Sequence, residues 1–358
     1  MRRHALRVAL SVVSLTLGAL ILAIGLPLVV GVSWQEIGAR LGQLDAWTVA
    51  WLCVVWLAGL WAYTFVLTGS LPGLTNFQGF MLNATGSAIS NVLPFGGAAG
   101  IAVTYGMART WGHSPRAVAA SVLVSGVWNT VFRFLLPAVG LVGLLASGRV
   151  PDSRIATATG VASGSLLALA AVLAVALAWK PATRWLGRTA DVLARALPRR
   201  FRPALGASGA SLERLRQQTV AVLRTGWLKM SLGMIGFLAL QAALMAACLA
   251  ATGAYPGLAL TLAAFALGRV LTTVVVTPSG IGTSETGTIA LLVALGSPAG
   301  PVTAGVLLFS IFTYALEIPL GVLTGAGWLL ARRLRRRDAV EGRAGDDAAE
   351  PAEITPGG

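Results

Sequence analysis

Charge is the scarcest property of this sequence. Only 11% of its 358 residues are Asp, Glu, Lys or Arg, against roughly 25% in an ordinary soluble domain. So few charges could not cover the surface of a soluble chain this long. That excludes a soluble enzyme, a disordered protein and a free nucleic-acid binder. The two cysteines, Cys53 and Cys248, both sit inside apolar runs, so no disulfide framework is expected and their role is packing. The two histidines, His4 and His113, lie far apart, and no Cys/His spacing suits a metal. No metal and no cofactor is expected. Lysine is almost missing too: apart from Lys180 and Lys229, every basic residue is arginine.

What the sequence does have is long apolar runs. Hydrophobic residues make up 56%, the mean hydropathy is +0.78, and a membrane-crossing helix needs about 20 apolar residues. The fold class is therefore all-α, a polytopic membrane helical bundle of about eight membrane segments. The first run, Leu6–Val32, is too long for a signal-peptide core of about 7–15 residues. Trp47–Gly69, Ala117–Ala146, Ile155–Trp179, Met230–Thr252 and Val302–Ala331 follow as spans. Residues 1–337 form the membrane domain, and 338–358 a disordered cytoplasmic tail. Between Lys180 and Lys229 lies a basic loop, in which Trp185, Leu186, Val192, Leu193 and Leu197 recur at helical spacing. That pattern fits either an interfacial amphipathic helix or a solvated loop.

The net charge of +14 could point to nucleic acid, but the arginines cluster in short pieces beside apolar runs. That is the positive-inside pattern. It puts the N-terminus, the 180–229 loop, the Arg332–Arg337 cluster and hence the C-terminus in the cytoplasm, with the plasma membrane as the location. Counting spans from these fixed points, Asn76–Arg109 must begin and end inside, and Gly257–Leu295 must begin and end outside.

Those two segments are the broken ones. Asn76–Arg109 is interrupted after Asn91 by Pro94-Phe95-Gly96-Gly97, and Gly257–Leu295 by Pro278-Ser279-Gly280-Ile281-Gly282. Proline removes a backbone donor and glycine permits non-helical turns. Backbone freed at membrane depth is tolerated only beside protein or a water-filled cavity. Corresponding breaks in two halves point to a transporter site. Re-entrant hairpins, short paired helices and ordinary kinked helices all fit the sequence.

Four charges lie inside apolar runs: Arg133, Arg269, Glu285 and Glu317. Each costs on the order of 3 kcal/mol at a helix centre and is a functional candidate. Guanidinium matches phosphate oxygens, so Arg133 and Arg269 could hold a phosphate head group. Glu285 stands at the start of the half-helix after the second break, where Thr283 or Ser284 could cap it. Proton coupling, or pairing with an arginine, are its two readings. Structural Arg–Glu pairing is open for all of these charges, and Glu317, just before Pro319, could be a satisfied kink residue.

Thr277-Pro278-Ser279-Gly280-Ile281-Gly282 with Glu285 resembles the Pro/Gly signature of the lysylphosphatidylglycerol synthase transmembrane (flippase-like) family, with Ile281 where that family carries a second glycine. Asn91, Pro94, Gly96, Gly97, Trp111-Gly112, Trp128-Asn129 and Arg133 resemble its earlier motif region, although Ile101 occupies the position matching Glu285. The resemblance implies a membrane domain that moves phospholipid or polyprenyl lipid between leaflets. It marks Asn91, Pro94, Gly96, Gly97, Asn129, Arg133, Arg269, Pro278, Gly280, Gly282, Ser284, Glu285 and Glu317 as the translocation site. The expected partner is a membrane lipid with an anionic or polyprenyl phosphate head group, not nucleic acid. A homo-oligomer or a lipid-modifying enzyme partner is also compatible. The alternative function is a membrane subunit that serves a lipid-modifying or glycosyl-transferring enzyme. No soluble aminoacyl-transferring domain follows in this sequence, and no catalytic constellation is visible, so lipid aminoacylation is not expected.

Overall fold

The computed structural model describes residues 33–93, 96–146, 209–272 and 282–349, with four further helical positions between 157 and 168. Among the described residues there is no strand. The helices are α1 (Trp34–Leu41), α2 (Ala46–Ser70), α3 (Asn76–Val92), α4 (Gly96–Thr110), α5 (Pro115–Ala146), α6 (Gly209–Ala251), α7 (Leu258–Leu271), α8 (Thr283–Ala294), α9 (Ala299–Ser310) and α10 (Glu317–Ala349). A π-helical turn, Ile311–Ala315, joins the last two.

Four stretches, 46–70, 115–144, 225–251 and 299–334, are helical, long and apolar enough to cross a membrane. They match four of the expected spans. Large side chains such as Trp47, Val142, Leu232 and Leu323 point outward from them, as on a surface meant for acyl chains. The expected span Leu6–Val32, all of Ile155–Trp179 but the four helical positions, the 185–197 amphipathic stretch, and Pro94, Pro278 and Gly280 lie outside the described residues.

Local chemistry explains the ends. Asp45 caps α2 by accepting from the Thr48 amide. Thr75 and Gln78 cap α3 reciprocally. Helix α3 stops because Leu93 precedes Pro94, whose ring disfavours helical geometry at the residue before it; Leu93 is extended at φ −98 and ψ 138. Helix α6 departs from expectation. It starts at Gly209, so the last part of the basic loop is one continuous helix with the span. Helix α10 likewise continues to Ala349, through residues 338–349 of the segment expected to be disordered. Ala, Arg and Glu in both stretches are good helix formers and extend a helix already nucleated in the membrane.

The two broken segments fold back on themselves. Ser90 lies against Gly96 and Gly100, and Gly86 against Gly100 and Thr104, so α3 and α4 are antiparallel. A Cβ on Gly100 would sit 2.7 Å from the Ser90 hydroxyl, which is why the close approach needs glycine. Gly268 opposite Thr288, and Leu271 against Gly287, show the same for α7 and α8. At a rise of about 1.5 Å per residue these helices are shorter than a bilayer core of about 30 Å.

The halves mirror each other. Helices α2 and α6 pack antiparallel, with Gly59 on Leu240 and Gly233 on Phe65. The first helix of each hairpin then leans on the long helix of the other half. Gly321 of α10 meets Ala84 and Ala88 of α3, while Gly140 of α5 meets Ala263 and Ala266 of α7. Gly140 and Gly321 play matching parts, each set against alanines of a hairpin helix, and each helix carries a proline within three residues before that glycine. Corresponding helices run in opposite directions. Valine at Gly140 or at Gly321 would press on backbone in the same way. Each substitution is expected to destabilise by about 1–3 kcal/mol, read as a lowered unfolding temperature of the purified protein in detergent.

Candidate functional site

A cavity of about 540 Å³ opens where the hairpins and long helices converge, and every helix from α2 to α10 contributes a wall residue. Of the residues predicted from the sequence, Asn91, Gly97, Asn129, Arg133, Arg269, Ser284, Glu285 and Glu317 line it. Gly96 is instead buried at the hairpin turn against Ser90. Gly282 is the N-cap of α8 at φ 93, a left-handed position that glycine tolerates.

The charges are not arranged as ion pairs. Among the described residues the only ion pair is Arg40–Glu36, at 3.2 Å near the start of the described chain. The structural Arg–Glu pair left open by the sequence is not formed. The guanidinium groups of Arg133 and Arg269 instead both line the cavity. Arg269 lies 6.0 Å above the Phe237 ring, a cation–π contact, and its Nε is buried without a hydrogen-bond partner.

Glu285 has a different task from the two expected of it. Its Oε2 accepts the Gly282 N–H at 2.6 Å and the Ser284 hydroxyl at 2.8 Å, and its Oε1 accepts the Ser310 hydroxyl at 2.8 Å. The side chain is 2% exposed. The carboxylate fastens the start of α8 to the end of α9, neutralising the free N–H groups of a helix terminus. Glu317, at the start of α10, accepts from Asn91 Nδ2 at 3.5 Å, and Asn91 also donates to the Tyr314 carbonyl at 3.4 Å. This contact ties the first hairpin to the last helix. The π-turn lies between these two glutamates. Its Leu316 N–H reaches back to Ile311 at 2.9 Å, loosening the helix just before Pro319, whose ring would crowd a regular turn.

Much of the remaining wall is neutral and polar, and several of its members were not singled out from the sequence: Tyr63, Asn83, Ser87, Gln241, Ser310 and Tyr314. Asn83, Ser87 and Ser90 recur at i, i+4 and i+7 inside an apolar run, a signal that the pattern did contain. Many hydroxyls satisfy themselves within their own helix, as Ser125 does on the Ser121 carbonyl at 2.7 Å. The Asn83 and Gln241 amides make no hydrogen bond among the described residues.

This arrangement, a cavity lined by two arginines and two glutamates that form no close ion pair among the described residues, inside a membrane bundle with broken helices, agrees with a comparison against protein families. The model for the lysylphosphatidylglycerol synthase TM region matches residues 6–321. The chain belongs to this family. The match takes in both hairpins, the cavity and all thirteen candidate residues, so the lysylphosphatidylglycerol synthase TM region is the unit that carries the site. The family is a membrane domain with a lipid-related role. No curated protein matches the chain.

Proposed function

We propose that this protein is a lipid translocase of the plasma membrane, moving an anionic phospholipid or polyprenyl-linked lipid between leaflets. The observation that carries the reading is the pair of arginines, Arg133 and Arg269, which line a cavity within the bundle and have no ion-pair partner among the described residues. A cation without a close ion pair in a membrane interior is costly, and a phosphate head group would supply a direct partner. The two hairpins enter from opposite faces as re-entrant segments, within a bundle of about eight membrane segments, and both termini are cytoplasmic. Inverted halves give the cavity two equivalent routes of access. The head group would cross among the arginines and polar side chains while its tails remain in the bilayer. No chemical step on the lipid is part of this function, and no cofactor.

The test is lipid movement by the purified chain in sealed vesicles, read by quenching of a fluorescent anionic phospholipid in the outer leaflet. Protein-dependent loss of the protected inner pool is the expected result. If neither anionic phospholipid nor polyprenyl lipid moves, and cavity variants lose a bound enzyme instead, the chain is a membrane subunit of a lipid-modifying or glycosyl-transferring enzyme.

A further inference from the structure

We infer that a proton crosses together with the lipid and that Glu317 carries it. This rests on the translocation reading above and adds an energy source to it. A proton carrier needs a carboxyl that faces the cavity, no partner that commits it to one charge state, and a link to a part that moves. Glu285 fails the second condition, because three donors at 2.6 to 2.8 Å hold its charge in place. Glu317 meets all three. It lines the cavity, is 8% exposed, and forms no ion pair among the described residues. Its hydrogen bond from Asn91 Nδ2 is long, at 3.5 Å. An amide offers both donors and an acceptor, so it serves the acid as well as the carboxylate. The link is local. Glu317 follows the π-turn Ile311–Ala315 by two residues and precedes Pro319 by two, where the regular helical ladder is interrupted. Its contact with Asn91 joins α10 to the first hairpin at that joint. Protonation takes the charge out of this bond and weakens it, which loosens the hairpin from α10.

Charge sets the sense of the coupling. The other charged and titratable groups of the cavity wall are Arg269 on α7, Arg133 on α5, Glu285 on α8, Tyr63 on α2, Tyr105 on α4 and Tyr314 in the π-turn. From α3 come only neutral groups, Asn91 and, one turn earlier, Ser87. A phosphate docked on the arginines neutralises the cations that favour the Glu317 carboxylate and adds a like charge to the same space. Both changes favour the acid form. Such linkage is reciprocal, so proton and phosphate load together and leave together. Glu317 takes one proton from water on the loading side and returns it to water on the other, and a lipid with one negative charge crosses as a neutral pair.

The experiment uses the full chain in sealed phosphatidylcholine vesicles with trace fluorescent phosphatidylglycerol, a probe with one negative charge. Quenching reads the outer leaflet, and protein-free vesicles supply the background. One proton per lipid makes a step of one pH unit equivalent to about a tenfold ratio between leaflets. With the interior one unit more alkaline and the membrane potential clamped at zero, the probe should gather in the inner leaflet, toward about ten to one. A potassium-diffusion potential at equal pH should leave it evenly shared. Glu317→Gln keeps the size of the side chain but cannot take up a proton. In that variant the probe should ignore the pH step and follow the potential instead. Glu317→Met makes the same test if the glutamine variant does not fold, and Glu317→Asp should restore the response to pH. A wild-type chain that moves the probe yet shares it evenly under the pH step overturns the coupling and leaves translocation standing. A folded glutamine variant that still gathers the probe under the pH step overturns the assignment to Glu317. If neither this probe nor a fluorescent polyprenyl phosphate moves, both readings fall.

Discussion

Replacing Arg133 and Arg269 together by glutamine is expected to stop lipid movement and, at the same time, to raise thermal stability. Charge-assisted hydrogen bonds contribute about 1.5–3 kcal/mol each. Losing one such bond at each arginine would weaken the phosphate complex by about 3–6 kcal/mol, roughly two to four orders of magnitude at 1.4 kcal/mol per tenfold. Neither arginine has an ion-pair partner among the described residues, so no close ion pair is broken when the charges go. Two half-buried like charges that face one cavity are removed instead, each costing on the order of 3 kcal/mol in a membrane interior. Transport in vesicles and unfolding temperature in detergent should therefore change in opposite directions. A protein that unfolds at lower temperature after the double substitution would show the arginines to be structural, and the translocation reading would lose its main support.

Glu285 should behave in the reverse sense. Alanine there leaves the Gly282 amide and two hydroxyls without their acceptor in a buried position, at about 1–3 kcal/mol for each unsatisfied group. Ser284 and Ser310 can rotate toward other partners, so a total of about 3–5 kcal/mol is expected for Glu285→Ala. Glu285→Gln keeps one acceptor oxygen and should recover about half of that. Unfolding temperature of the purified variants is the measurement, with transport normalised to folded protein. Variants that keep the wild-type unfolding temperature yet move no lipid would return Glu285 to the list of transport groups.

The contrast between these residues marks the limit of what the sequence could convey. Arg133, Arg269, Glu285 and Glu317 looked alike there: four charges in apolar runs, with equal claims to function. Which are satisfied depends on what faces them from other helices, and Ser310, which holds Glu285, is 25 positions away. Glu317 meets Asn91 from the opposite half. Span positions were legible because a run of apolar residues has a length, as Trp47–Gly69 against the observed Ala46–Ser70 shows. Hairpins were legible as one option among several, because the basic clusters fix sidedness. Gln241 and Tyr63 were not legible, since a single polar residue in a span gives no sign of whether it faces lipid, a neighbouring helix or a cavity. The start of α6 at Gly209 was hidden because the arginines that end an apolar run do not end a helix.

The leaning of α3 on α10 has a consequence for how the protein is made. Most contacts of a first hairpin could form while the ribosome is still working on the next helix. Here α3 must wait for Gly321 and Glu317, which emerge more than two hundred residues later. At about 5–20 residues per second that is a delay of some 10–50 s. During that interval Asn83, Ser87 and Asn91 belong to a membrane segment without its final neighbour. The nascent chain carries its first hairpin unsupported through that interval, and α10, translated long after it, is the helix that closes the first half.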